Sequence, residues 1–159
     1  MIPVFTNNIL KTELQKELHS WIGTPYFHWG QENGKSADWS LFIARSLINI
    51  NVLNDFILKY QSRIWVKYGN EEILLNIFNL IMNTYLKKAY ICKEILDKNE
   101  QLIIGDFLVY SINSKFTNHM SMLFNDTQII ESNNKNGVCL QTILNNIFKI
   151  THIYRIYLQ

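Results

Sequence analysis

Cysteine is scarce in this sequence. Cys92 and Cys139 are the only two, too few for the disulfide framework of a small secreted domain. They are expected to be free, buried thiols, with a single bond between them as the alternative. Charge of either sign is not in excess: 15 Lys and Arg against 13 Asp and Glu leave a net charge of +2 at pH 7. So small a balance does not point to nucleic acid, and the paired cluster Lys87-Lys88 reads as the solvated C-terminal end of a helix. Long apolar runs are missing too. None reaches the roughly 18 residues of a membrane span, so no membrane partner is expected. Residues 1–16 lack a basic segment followed by an apolar one, which points to the cytoplasm of the producing cell. The histidines His19, His28, His119 and His152 and the carboxylates show no ligand spacing of the H-E-x-x-H kind. There is no glycine-rich phosphate loop. Neither a metal nor another cofactor is therefore expected. No internal repeat, linker or low-complexity segment interrupts the chain.

What is present suits a packed core. Of 159 residues, 48% are hydrophobic and 13% aromatic, and the length corresponds to one domain spanning residues 1–159. Leu10, Leu14, Leu18 and Trp21 fall on one face of a helix over about 8–21, capped by Asn7 or Asn8 and broken by Gly23 and Pro25. A loop follows over 24–36. A second helix starts near Asp38, whose carboxylate is placed to cap it, and runs to Ile50. A third, weaker helix covers about 54–60. A fourth runs from its cap Asn70 to about Lys87; Glu71 and Glu72 oppose its N-terminal dipole, and Ile73, Ile77, Leu80, Ile81 and Tyr85 form its apolar stripe. The period then changes to two. Strands are predicted over 107–112, 119–124, 128–131, 138–142 and 152–157, with turn signals at Asn125-Asp126 and Asn136-Gly137. Helices first and a strand meander second give an α+β domain with a helical insert at about 51–101.

Residues 34–42 read G-K-S-A-D-W-S-L-F. This stretch is similar to the G-x-x-A-D-C-S-L-F of the NlpC-type papain-like cysteine peptidases, in which the Cys is the nucleophile; here that position is Trp39. Other blocks follow in the same order. Trp21-Ile22-Gly23-Thr24-Pro25-Tyr26 resembles the family's W-x-G-T-P-Y. Gly105-Asp106-Phe107-Leu108-Val109-Tyr110 resembles its G-D strand, Asn118-His119-Met120-Ser121-Met122 the segment carrying the catalytic His, and Ile129-Ile130-Glu131-Ser132 the segment orienting that His. Gly137-Val138 and Tyr154-Arg155 also fit. The spacing most resembles the phage-tail and gene-transfer-agent branch, with Trp65 and Gly69-Asn70-Glu71-Glu72 in the insert.

The resemblance implies a papain-like fold with an antiparallel sheet, and a peptidoglycan endopeptidase as the family's activity. It places His119 as the general base, Glu131 as the residue orienting it, Tyr26 beside the oxyanion position and Trp39 where the nucleophile belongs. Each also has a plain structural role open to it: His119 or Glu131 as an ordinary strand residue, Tyr26 packed on the first helix. Trp39 has three explanations: a natural pseudoenzyme, an engineered change, or a slipped alignment, the last opposed by the flanking Ala37-Asp38 and Ser40-Leu41-Phe42. Indole cannot attack a carbonyl. Ser40 points about 100° away from position 39 on a helix, and Cys92 and Cys139 are not at a helix start. Asp38 and Glu131 as a glycosidase-like pair stay open, because the sequence does not set their separation.

The expectation is thus a catalytically inactive relative of a phage-type peptidoglycan peptidase. It would bind the peptidoglycan stem peptide or associate with phage tail or particle proteins, and be carried in such a particle. The alternatives are an active cysteine peptidase whose nucleophile Trp39 has replaced, and a purely structural phage protein.

Overall fold

The computed structural model describes residues 1–56, 73–97, 99–112, 115, 118–143 and 149–159. The predicted third helix lies mostly outside them, as do Trp65, Gly69 to Glu72 and the predicted Asn70 cap.

Helix α1 (Asn8–Ser20) starts where Asn7 accepts hydrogen bonds from the Ile9 and Leu10 amides at 2.9 and 3.2 Å, so the side chain satisfies two orphan donors. Its Leu14 and Leu18 are buried, with Trp21 just beyond its end. A two-stranded hairpin follows, β1 (Gln31–Glu32) with β2 (Ser36–Ala37), inside the segment expected to be a loop. Helix α2 (Leu41–Asn49) begins later than expected, and Ser40 rather than Asp38 stands at its N-cap position. The Asp38 carboxylate is used elsewhere: it accepts from the Trp29 amide at 3.0 Å and the Ser40 amide at 3.2 Å, tying the preceding loop to the helix start.

Helix α3 (Ile73–Tyr85) is amphipathic, with Asn76, Asn79 and Asn83 on its exposed face. Leu74, Leu75, Phe78, Ile81 and Met82 face inward, whereas Leu80 of the expected stripe is 57% exposed. Phe78 packs its ring on Phe107 and Tyr154, with centroids 5.0 and 4.8 Å apart.

The main sheet holds β3 (Tyr90–Glu94), β4 (Phe107–Ser111), β5 (His119–Leu123), β6 (Gln128–Asn133), β7 (Gly137–Thr142) and β8 (Lys149–Leu158), in the order β3-β8-β4-β5-β6-β7, all antiparallel. Strand β3 lies within the expected helical insert, so the helical part ends at Tyr85 rather than near residue 101. As an edge strand with no fully buried residue, β3 lacks the alternation that marks a strand in sequence.

Phe107, Val109, Met120, Met122, Ile130 and Val138 turn to the helices and form the main core. Leu108, Tyr110, Leu123 and Ile129 turn the other way into a smaller cluster. Arg155 on β8 grips Asp106, just before β4, with two hydrogen bonds of 2.7 and 2.8 Å; both side chains are buried. Arg155 also reaches the Gln101 carbonyl and Glu100, so the Gly105-Asp106 and Tyr154-Arg155 blocks are two halves of one clamp.

Candidate functional site

Position 39 is set by a backbone lattice. Ala37 donates to the Pro25 carbonyl at 2.9 Å and accepts from the Phe27 amide at 3.2 Å and from the Ser132 hydroxyl at 2.9 Å. Asp38 donates to the Gly30 carbonyl at 2.9 Å. The crossing is so tight that a Cβ on Gly30 would stand 2.6 Å from the Ala37 nitrogen, which only glycine avoids. A second close approach joins β7 to the segment after α1: Val138 exchanges hydrogen bonds with Gly23 and Thr24, each 2.9 Å. Trp39 is thereby held in the turn immediately before α2, half-buried and packed against the main core.

Strands β5 and β6 bring the other groups. His119 opens β5 and Glu131 lies on β6; His119 Nε2 is 2.7 Å from Glu131 Oε2, and the two residues are 7% and 3% exposed. Asn133, two residues further along β6 and so on the same face, donates to Glu131 Oε1 at 2.9 Å. Burial pushes the Glu131 carboxyl up, but the His119 hydrogen bond and charge and the Asn133 amide together outweigh it and hold the group below its ordinary value. Glu131 is therefore an anion at neutral pH, and the imidazole must carry its proton on Nε2 to donate to it. That leaves Nδ1 as the basic nitrogen of neutral His119.

Tyr110, the register partner of His119, stacks on the imidazole with centroids 6.0 Å apart, and its hydroxyl is 2.6 Å from the Ser121 hydroxyl. Burial, with the Glu131 charge, pushes the Tyr110 phenol up to about 12, against the effect of the Ser121 bond. Asn133, Tyr110 and Ser121 were not singled out in the sequence; the period of two within β5 and β6 places Asn133 beside Glu131, and only the pairing of β4 with β5 brings Tyr110 onto His119.

A cleft of about 640 Å³ opens over these groups; Tyr26, Trp39, His119, Glu131 and the β6–β7 turn are among its lining. The four residues expected at the site thus meet in one place. Burial and the nearby Asp38 charge raise the Tyr26 phenol, while a hydrogen bond from the Trp39 side chain works against them; the indole N–H is the only donor that side chain has.

Neither a family model nor a curated protein matches the chain by sequence. Among solved structures it is similar to NlpC2 from Trichomonas vaginalis, at 13% identity and a TM-score of 0.56, over 90% of this chain and 45% of that one. It is also similar to the NlpC/p60 domain of the peptidoglycan hydrolase SagA, at 16% identity and a TM-score of 0.54, over 90% of this chain and 96% of that one. The fold is that of the NlpC/p60 domains. The chain spans less than half the length of the first neighbour and nearly all of the second.

On this NlpC/p60 fold the remaining candidates are poorly placed as nucleophiles. Cys92 is on edge strand β3, and burial pushes its thiol up to about 12. Cys139 is closer to the site: it is the register partner of Glu131 on β7. The β6 strand nevertheless lies between it and β5, which carries His119, a span of two strand spacings or about 10 Å. Burial and the Glu131 charge also raise its thiol, despite the Asn133 and Gln141 amides 3.5 Å away. The Ser40 hydroxyl is turned to the Asp38 carboxylate at 3.3 Å. Asp38 itself is 3% exposed, held above its ordinary value by burial, with its oxygens on backbone amides. It is absent from the cleft lining, unlike the carboxylate pair of a glycosidase. Among the described residues there is no group of three or more His, Cys, Asp or Glu side chains that could hold a metal.

Proposed function

We propose that this chain is a non-hydrolytic relative of the phage-type peptidoglycan peptidases, whose cleft binds cell-wall stem peptide without cutting it. One observation carries this reading: the cleft lined by the His119–Glu131 pair also has, in the turn before α2, an indole where covalent catalysis needs a thiol. A base and its orienting carboxylate without a nucleophile can hold a ligand but cannot form an acyl-enzyme. The open cleft supports binding over a purely structural role, which would tolerate a filled one. Its peptidoglycan target is argued from the printed name of one fold neighbour, a peptidoglycan hydrolase, and from the colinear motifs. The phage association rests on the order of those motifs alone, and tail or particle proteins are its proposed partners.

The experiment is incubation of the chain with purified peptidoglycan, with released peptides measured by mass spectrometry and retained protein by pull-down. Retention without release is expected. Release of cut stem peptides that disappears in His119→Ala would overturn the reading.

A second reading has its own support. The 2.7 Å contact of His119 with Glu131 is still arranged as a working base would need, which favours a peptidase disabled at one position only. Restoring the thiol at Trp39 separates the two.

A further inference from the structure

The cleft wall is lined mainly by uncharged polar and aromatic groups. Its only lining carboxylate among the described residues, Glu131, is committed to His119 and Asn133, and Lys135 is the only lysine or arginine in the lining. Two of the lining carboxamides are also committed. Asn118 both accepts from and donates to the Ile112 backbone at 2.8 Å, and Asn133 serves Glu131 and the amides of Lys135 and Asn136. The carboxamides of Asn134, Asn136 and Gln141 also line the cleft, that of Gln141 with its amide 3.5 Å from the Cys139 sulfur. Each presents a donor and an acceptor in one plane.

Trp39 completes the arrangement. It is half-buried, with part of its surface resting on the main core, and it lines the cleft together with Tyr26. What an indole offers a cleft is a flat, largely apolar ring, here held by that packing.

We propose that the cleft takes a neutral saccharide, with one pyranose ring stacked on the Trp39 indole and its hydroxyl or acetamido groups paired with the carboxamides of Asn134, Asn136 and Gln141. A pyranose is the ligand class whose two sides match: a face of C–H groups for the aromatic plane, and a rim of groups that both donate and accept. A cleft of about 640 Å³ lies within the usual range for small-ligand sites. The proposal rests on the reading of the cleft as a non-hydrolytic binding site for cell-wall stem peptide and adds the part of the wall held beside that peptide, the glycan.

The test is isothermal titration calorimetry of the chain with chitotetraose, an uncharged N-acetylglucosamine tetramer, beside a glutamate-containing tetrapeptide. Saturable binding of chitotetraose is expected. Trp39→Ala should weaken it by about tenfold or more, as for an aromatic anchor, and Trp39→Phe should retain most of it. Should Trp39→Ala fail to fold, Asn134→Ala with Asn136→Ala, both exposed, should weaken binding while leaving the circular dichroism spectrum unchanged. Absence of saturable binding, or affinity unaltered by every one of these changes, overturns the proposal. If the tetrapeptide binds and the saccharide does not, the glycan assignment falls and non-hydrolytic binding stands. If cell-wall peptides are cut, that reading falls by itself, whatever the calorimetry gives.

Discussion

Glu131 Oε2 lies 2.7 Å from His119 Nε2, and the contact is nearly sealed from solvent. A buried carboxylate alone would be driven toward its neutral form. Here the imidazole and the Asn133 amide reverse that tendency, so the Glu131 carboxylate is retained as an anion beside a residue that cannot use it for acyl transfer.

The pH dependence of stability follows from this. The folded value of Glu131 is below its ordinary 4.5, so between the two values the unfolded chain binds the extra proton and stability rises with pH. The contribution is complete above the ordinary value and is lost as pH falls through the folded one. Asp38, raised by burial, acts with the opposite sign. Comparison with Glu131→Gln cancels Asp38, because both proteins contain it. Urea midpoints in the acid range should fall more steeply for the parent than for Glu131→Gln. At neutral pH the variant should be less stable by about 1–3 kcal/mol. Parallel profiles would show that the contact does not carry this linkage.

Trp39→Cys puts a thiol before α2, in the cleft that His119 lines. If the cleft has adapted to the indole, removing so large a group leaves a void, and the new thiol should react with iodoacetamide at neutral pH without restoring peptide cleavage. Extra volume in a site built for a thiol usually costs about 1–3 kcal/mol unless the surroundings have made room. A gain in stability of that size in Trp39→Cys, together with robust cleavage, would identify a peptidase disabled by one substitution.

Arg155→Ala leaves Asp106 buried with no partner charge on β8. Breaking a buried pair from one side typically costs about 3–5 kcal/mol. Arg155→Lys keeps the charge but not the two-pronged geometry and should fall between. Chemical denaturation of the three proteins checks the order; a wild-type midpoint for Arg155→Ala would show that the clamp contributes nothing.

Gly137→Ala tests the joint between β7 and the segment after α1. The residue has φ +65°, and a Cβ there would stand 2.2 Å from the Thr24 carbonyl oxygen. A loss of about 1–3 kcal/mol is expected from the strained backbone alone. Because Thr24 leads directly to Tyr26, binding to the cleft should weaken along with thermal stability. Thermal melting and the chitotetraose titration read the two effects separately.

Much of the architecture follows from local chemistry. Asn7 can cap a helix because its side chain reaches amides two and three residues on, and strands β4 to β7 announce themselves as short, largely apolar runs separated by Asn-containing turns. The elements that escaped had no such local mark. Strand β3 is half-exposed along its length, and β1 and β2 have two residues each. Asp38 looked like a helix cap because a cap needs only a carboxylate at the right offset; the Trp29 amide that claims one of its oxygens comes from a loop nine residues earlier.

The site divides in the same way. That position 39 carries an indole, that His119 stands at the start of a strand and that Glu131 follows twelve residues later are matters of covalent order, and the resemblance of the surrounding motifs depends on nothing else. Whether these groups meet depends on sheet pairing and on the backbone crossing at Gly30 and Ala37, which are contacts between distant segments. The charge state of Glu131, the Tyr110 stack on His119 and the packing of Trp39 against the main core belong to that second kind, because each arises from burial and proximity that no short stretch of chain possesses before it folds.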